Sequence, residues 1–197
     1  MPLNTIAKAV GSPCFIYSTA TLTRHFQVFE QPLKAAGTDH IICYAMKANS
    51  SLGVLDLLVK QGSGFDIVSG GELFRALRAG ADPRKIVYSG VGKLPHEIQA
   101  ALNANILMFN VESADELERI QDVAEDMGRV APIALRVNPD IDPKTHPYIS
   151  TGLYESKFGI DIRDAPALFQ RAKALSHVDV VGVDCHIGSQ ITKMKPF

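Results

Sequence analysis

The chain has 197 residues, of which 46% are hydrophobic and 21% charged, and its 20 Lys and Arg against 21 Asp and Glu give a formal net charge of −1. Proteins that bind nucleic acids or membrane surfaces usually carry basic patches or tails, so neither partner is predicted. No apolar run approaches the roughly 18–20 residues of a membrane-spanning helix, and the N-terminal residues lack the apolar segment of a secretory signal. The composition is typical of a cytoplasmic globular protein.

The cysteines, Cys14, Cys43 and Cys185, are far apart and odd in number. Their spacing matches neither a zinc site nor a disulfide framework. Each lies in an apolar run, which favours a buried free thiol in a reducing compartment. We therefore predict no metal site.

Short apolar runs rich in β-branched and aromatic residues recur along the chain. They cover residues 41–47, 64–69, 85–90, 106–111, 132–138 and 180–188. Continuous rather than alternating apolarity predicts strands that are buried on both faces, as in a parallel sheet.

Helical patterns separate most of these runs, at residues 21–36, 69–80, 95–102, 113–128 and 164–176. Two of them open on a serine followed three residues later by glutamate, the pattern of a capping box, at Ser69 with Glu72 and at Ser113 with Glu116. The backbone N–H groups after Ser69 could also bind an anion. Because capping accounts for the same residues without a ligand, we favour the cap.

The alternation has a unit of about 20–25 residues and predicts parallel strands joined by right-handed helical crossovers. A doubly wound sheet and a (β/α)8 barrel both have this order. The first run is followed by KANSSLG, where a doubly wound dinucleotide-binding protein would carry G-x-G-x-x-G, so we prefer the TIM-type barrel. Residues 1–40 are then a segment leading into the barrel, and residues 41–197 supply about six of its β/α units, strands 1–6.

Catalytic residues of a barrel cluster at the carboxyl ends of its strands. The predicted strands here end on polar positions: Lys47, residues 66–69, residues 89–90, Asn110, residues 136–138 and residues 186–189. A lysine such as Lys47 at the end of a buried strand is expected to be partly desolvated, which favours the neutral amine and Schiff-base chemistry. A lysine that extends its ammonium group into solvent is the alternative.

Other polar residues at strand ends also suggest a site. The imidazole of His186 could stack on a flat ring or act as an acid or base, and Ser189 offers a hydroxyl to a phosphate. A histidine that is hydrogen-bonded within a turn is equally consistent with the sequence. Asp66 and Arg136 are charged residues inside apolar strands, so each predicts either a structural ion pair or a contact with a cofactor.

Residues 139–162 form a long stretch without clear periodicity. Loops of this length in compact domains commonly serve as lids or interfaces. Because the stretch contains three aromatic residues, we expect a lid or a subunit contact rather than disorder.

Eight stretches, in order, closely resemble the diaminopimelate decarboxylase family, pyridoxal phosphate enzymes of the alanine-racemase-like barrel class. They are CFIYS, YAMKANSSLGVL, GFDIVSGGEL, IVYSGVGK, FNVES, LRVNPD, THPYISTGLYESKFGI and HIGSQ, and they span residues 14–190. The resemblance implies decarboxylation of meso-2,6-diaminopimelate to L-lysine and CO2, the last step of lysine biosynthesis, by a homodimer that depends on pyridoxal 5'-phosphate.

The resemblance also assigns roles at matching positions. Lys47 of YAMKAN resembles the lysine that holds the cofactor covalently, and His186 of HIGSQ resembles the histidine that stacks on the pyridine ring. Ser189 is expected near the phosphate. Asp66 and Arg136 are expected close to the cofactor.

Members of this family continue well beyond the point that corresponds to residue 197. The continuation supplies the last two barrel strands, a β-domain, a Gly-rich phosphate loop, a Glu-Pro-Gly-Arg turn and a Cys-Glu segment that completes the partner's site. We therefore expect this chain to be the N-terminal part of such an enzyme, without the C-terminal β-domain and inactive by itself.

Related decarboxylases of ornithine, arginine or carboxynorspermidine are the nearest alternatives. THPYISTG and Gln190 favour diaminopimelate by resemblance. A racemase is disfavoured by the stretch at residues 139–162. A non-catalytic regulatory paralogue is disfavoured by the presence of Lys47.

Overall fold

The structure, a computed structural model, describes residues 2–141 and 158–196. The chain divides into two compact units, one ending at His40 and the other beginning at Ile41. In its described part, the first unit contains helices α1 (Leu3–Val10) and α2 (Thr19–Ala35). Helix α2 begins after Ser18, whose Oγ accepts a hydrogen bond from the backbone N–H of Thr21.

The second unit alternates strands with helices. Its described strands are β1 (Cys43–Ala45), β2 (Gly64–Ile67), β3 (Ile86–Tyr88), β4 (Met108–Val111), β5 (Ala131–Asn138), β6 (Ile160–Asp161) and β7 (Val178–Asp184). Its described helices are α3 (Leu52–Lys60), α4 (Gly70–Arg78), α5 (Pro95–Ala104), α6 (Ala114–Asp126) and α7 (Ala165–Ala174), with 3-10 turns at Met46–Ala48 and Pro83–Lys85.

Strands β1 to β5 are hydrogen-bonded side by side in chain order, and each of these pairs is parallel. Strand β7 pairs in parallel with β5, and the short β6 pairs with the last two residues of β5. A doubly wound sheet reverses its strand order at a switch point, whereas β1 to β5 advance without reversal, as in a barrel. The predicted parallel α/β architecture is confirmed.

The core lies between the sheet and the helices. Its fully buried side chains include Leu55, Phe65, Ile67, Ile86, Tyr88, Ile98, Phe109, Leu117, Ile120, Ile133 and Leu135. Every residue of β3 is buried, as the continuous apolar run predicted. The same prediction is wrong for β7, where Val181 and Val183 are exposed, because within the described residues this strand pairs with β5 alone.

Serine caps begin α4 and α6 as predicted, but the capping boxes are incomplete, because Glu72 and Glu116 accept from the N–H of Val68 and of Glu112, one residue before each serine. Ser69 Oγ accepts a hydrogen bond from the N–H of Glu72, and Ser113 Oγ accepts one from the N–H of Glu116. The N–H of Gly70 donates to Glu97 Oε1 at 2.7 Å, so a protein carboxylate already occupies a donor that an anion would need. The capping interpretation of this segment is therefore supported over the anion site.

Some elements differ from the predicted ones. The first strand ends at Ala45 rather than Lys47, and helices α1 and α3 and strand β6 were not predicted. The two residues of β6 are too few to form a recognisable apolar run. Most of the stretch predicted to be a lid or a subunit contact, residues 142–157, lies outside the described residues.

The expectation of buried thiols is wrong for Cys14 and Cys185, which are exposed, while Cys43 is half-buried. Cys14 precedes Phe15, which is 91% exposed in a segment without regular structure, and Cys185 follows the end of the half-covered strand β7. An apolar run therefore does not by itself bury the thiol that it contains, and in the second of these runs Ile187 rather than Cys185 is buried. In the part of the chain that is described, no helix is long and apolar enough to cross a membrane.

Candidate active site

A cleft of about 910 Å³ is lined by residues of the strands and of the loops that follow them. Its volume is within the range of about 300–1,000 Å³ that is usual for small-molecule sites. The five residues singled out from the sequence all contribute to its lining: Lys47, Asp66, Arg136, His186 and Ser189. The structure thus brings together side chains that are up to 142 positions apart, from residue 47 to residue 189.

Lys47 reaches the cleft from the 3-10 turn that follows β1. Met46, only 1% exposed, takes the buried position of this turn, and the hydroxyl of Tyr44 donates to the carbonyl of Asn49 at 3.2 Å across it. Lys47 itself is exposed. Of the two alternatives left open for Lys47, the exposed lysine is therefore found and the desolvated one is not, because the turn places Met46 against the core.

Asp66 is held by a line of hydrogen bonds that crosses neighbouring strands. The Ser89 hydroxyl donates to Asp66 Oδ1 at 2.6 Å, and Asn110 Nδ2 donates to Ser89 Oγ at 3.1 Å. Burial raises the pKa of Asp66 above its ordinary value, and the hydrogen bond from Ser89 opposes that rise. The sequence marks Ser89 and Asn110 only as polar strand ends, and these two hydrogen bonds were not predicted.

Replacing Ser89 by alanine is expected to raise the pKa of Asp66 further, because the carboxylate loses the hydroxyl that stabilises its charged form. The change is measured by following the side-chain carboxyl of Asp66 by carbon-13 NMR across a pH titration. Ser89→Thr keeps the hydroxyl and serves as the matched control. An Asp66 titration identical in Ser89→Ala and the wild type would show that the hydrogen bond has no such effect.

Arg136 forms the ion pair that was one of its two predicted roles. Its Nη1 lies 2.7 Å from Glu112 Oε1, and its Nε lies 3.8 Å from Asp184 Oδ2. The guanidinium also lies 5.2 Å from the centre of the Phe158 ring. Arg136 is therefore an ion-paired residue that also lines the cleft.

A buried lysine adjoins this ion pair and was not predicted. Lys93 Nζ donates to Glu116 Oε1 at 2.6 Å, to the carbonyl of Asn110 at 2.8 Å and to that of Gly90 at 2.7 Å. Its side chain is 0% exposed. The other oxygen of Glu116, Oε2, accepts a hydrogen bond from the N–H of Glu112. Glu116 thus binds the backbone just before the Ser113 cap and neutralises a buried lysine, and only the contact near the start of the helix has a local sequence signal.

His186 lies two residues beyond β7 and is half-buried in the lining of the cleft. Burial lowers its pKa below the ordinary value of 6.5, and the positive charges of Arg136 and Lys47 lower it further. A pKa below 6.5 favours the neutral imidazole at pH 7. Ser189, three residues later, is exposed at the same cleft.

The folded protein should lose stability as the pH falls below 6.5, because the unfolded state then binds a proton that folded His186 resists. Urea unfolding at several values between about pH 5 and 8 measures this dependence. His186→Asn should remove the part of this loss of unfolding free energy that comes from His186. His25→Asn, which changes a histidine of the other unit, should show the same loss as the wild type. A His186→Asn variant with the wild-type pH profile would contradict the prediction.

Residues 19–197 match the family model for the pyridoxal-binding domain of pyridoxal-dependent decarboxylases. The chain belongs to this family. The match confirms the prediction of a pyridoxal phosphate cofactor, the group on which the family depends.

This pyridoxal-binding domain is similar to diaminopimelate decarboxylases from several bacteria. It is 53% identical over 195 residues to that of Pseudomonas aeruginosa, covering 99% of this chain and 46% of the relative. It is 54% identical over 198 residues to that of Vibrio cholerae, covering 100% of this chain and 47% of the relative. The chain therefore spans about half the length of the curated relatives that it matches.

Solved structures of diaminopimelate decarboxylases also resemble this chain. The crystal structure of diaminopimelate decarboxylase from Helicobacter pylori, complexed with L-lysine, superposes with a TM-score of 0.95 at 44% identity, covering 99% of this chain and 49% of that one. The M. jannaschii enzyme, also in complex with L-lysine, gives a TM-score of 0.87 at 41% identity, covering 98% of this chain and 46% of that one. The parallel sheet of the pyridoxal-binding domain is thus part of a decarboxylase barrel, which confirms the predicted fold class.

Proposed function

We propose that the full-length protein decarboxylates meso-2,6-diaminopimelate to L-lysine and CO2 with pyridoxal 5'-phosphate as cofactor. The observation that carries the proposal is the convergence of Lys47, Asp66, Arg136, His186 and Ser189 on one cleft of a pyridoxal-binding domain. Each of these side chains offers a chemical group that the cofactor or an amino-acid substrate can use.

The donor set of the cleft fits pyridoxal phosphate. Lys47 offers a primary amine, the group that reacts with an aldehyde, and its exposure leaves that amine accessible from the cleft. His186 offers a flat neutral ring. Ser189 offers a hydroxyl that can donate to a phosphate oxygen. We therefore assign Lys47 to covalent attachment, His186 to stacking on the pyridine ring and Ser189 to the phosphate.

The charged groups of the cleft orient the cofactor and the substrate. The Arg136 guanidinium lines the cleft, and its planar set of N–H donors can meet a negatively charged oxygen. Asp66, held by Ser89, places a carboxyl group beside these cations. When bound, pyridoxal phosphate supplies an electron sink for the charge left on the α-carbon by departure of CO2.

The choice of meso-diaminopimelate as the substrate rests on the similar proteins. The relatives described above are diaminopimelate decarboxylases, and two of the matched structures contain L-lysine, the proposed product. We also propose that the enzyme acts in the cytoplasm as a homodimer, a state that analytical ultracentrifugation of the full-length protein tests.

The proposed reaction is tested by measuring CO2 release from meso-diaminopimelate, ornithine, arginine and carboxynorspermidine. We expect kcat/KM to be highest for meso-diaminopimelate, by at least about 100-fold. An amine that lacks one of the polar groups of the substrate would leave the matching polar groups of the site unpaired. Faster turnover of one of the other amines would reassign the substrate. Cofactor binding without turnover of any of them would support the regulatory paralogue instead.

A further inference from the structure

Glu112 is a buried carboxylate next to the cleft that the proposed reaction does not use. It follows β4 directly, and its side chain is only 1% exposed. A carboxylate buried to this degree is costly unless its charge and its oxygens are satisfied. The groups that satisfy Glu112 therefore indicate what it does.

Both oxygens of Glu112 accept hydrogen bonds from separate parts of the second unit. Oε1 accepts from Arg136 Nη1 at 2.7 Å and from the N–H of Gly90 at 3.0 Å, and Oε2 accepts from the N–H of Gly159 at 3.1 Å. Of these partners, Arg136 contributes a charged side chain to the cleft. The geometry connects the buried carboxylate to the cleft through that guanidinium.

Glu112 is the nearer of the two carboxylates that flank Arg136. The second carboxylate, Asp184, lies 3.8 Å from Arg136 Nε, compared with 2.7 Å for the contact between Glu112 Oε1 and Nη1. The two carboxylates approach different nitrogens of one planar group. Losing the nearer one would allow the guanidinium to turn toward Asp184, so the orientation of Arg136 depends on Glu112.

The backbone at Gly159 is packed tightly against that of Arg136. Gly159 has a φ of +78°, and a Cβ there would lie 3.0 Å from the carbonyl oxygen of Arg136. Phe158, the preceding residue, lies against the guanidinium. Glu112 binds the N–H of Gly159, so one carboxylate holds both the arginine and the backbone beside it.

We propose that Glu112 is a positioning residue. It holds the Arg136 guanidinium in the orientation in which that group contacts the cofactor bound in the cleft. The proposal rests on the proposed function, since it takes the cleft to bind pyridoxal phosphate. Glu112 acts through Arg136, and it makes its contribution whether or not substrate is bound.

A double-mutant cycle tests this directly, with binding of pyridoxal phosphate to the full-length apoprotein as the readout. Glu112→Gln should weaken binding about tenfold and change the visible circular dichroism of the bound cofactor. In an Arg136→Gln background the same substitution should have no further effect, because the group that Glu112 positions is gone. Glu112→Asp, which retains the charge, should recover part of the affinity.

Glu118→Gln is the matched control, since Glu118 forms an exposed ion pair with Arg171 at 2.8 Å, and it should leave binding unchanged. Thermal unfolding of each variant establishes that it is folded. Equal effects of Glu112→Gln in the presence and absence of Arg136 would overturn the proposal, because Glu112 would then act through Gly90 or Gly159. Wild-type protein that does not bind pyridoxal phosphate would overturn the proposed function as well.

Discussion

Replacing Lys47 by alanine should abolish the visible absorbance of the bound cofactor and lower kcat for meso-diaminopimelate by about a thousandfold or more. The reason is chemical: the cleft is proposed to hold the cofactor through the Lys47 amine, and alanine has no nucleophile to replace it. Absorbance spectra of the full-length holoprotein and single-turnover kinetics measure the two effects.

Lys60→Ala is the control for Lys47→Ala. Lys60 is an exposed lysine at the end of α3, paired with Asp56 at 2.7 Å, and lies outside the lining of the cleft. It should leave both the spectrum and kcat unchanged. Retention of the spectrum and of turnover by Lys47→Ala would show that another residue attaches the cofactor.

Glu116→Ala should lower the free energy of unfolding by about 3–5 kcal/mol, the usual cost of removing one partner of a buried ion pair. The Lys93 side chain is 0% exposed and that of Glu116 is 5% exposed, so alanine leaves an ammonium group without its counter-charge in the core. Urea unfolding of the full-length protein measures the loss.

Glu118→Ala supplies the comparison for this buried pair. Its side chain and that of Arg171 are 41% and 56% exposed, and exposed pairs contribute less than about 1 kcal/mol. Lys93→Met removes the ion pair but leaves the cap at Ser113 intact. It therefore distinguishes the contribution of the ion pair to the free energy of unfolding from that of the cap. If Glu116→Ala cost no more than Glu118→Ala, the Lys93 ion pair would have no role in stability.

The sequence predicted the elements whose signals are local. The capping serines Ser69 and Ser113 hydrogen-bond within their own helices, and the burial of β3 follows from a continuous apolar run. Strand β6 lacks a comparable signal because it has two residues. The sequence left open whether Lys47 is desolvated or exposed, because nothing in the apolar run marks the turn that begins after Ala45.

The candidate site was predicted as a set of residues and not as a set of contacts. Polar strand ends were expected at one edge of a parallel sheet, and the cleft gathers them there. Which side chains touch depends on strand register and side-chain direction. Asp66 is paired in register with Val87 of β3, yet its side chain accepts a hydrogen bond from Ser89, two residues after Val87.

The buried charges were the least predictable part. Glu116 already had a complete local explanation as a capping residue, so its second role with Lys93, 23 positions away, had no signal. Arg136 was recognised as a charge within an apolar strand, and the two interpretations left open for it are compatible. A sequence shows that such a residue needs a partner but does not identify Glu112.

Covalent binding of pyridoxal phosphate at Lys47 is tested by borohydride reduction. The full-length holoprotein is reduced, digested and mapped by mass spectrometry, so that the pyridoxyl group remains on the lysine that held it. We predict the label on the peptide that contains Lys47. A label confined to any other lysine would show that Lys47 does not hold the cofactor.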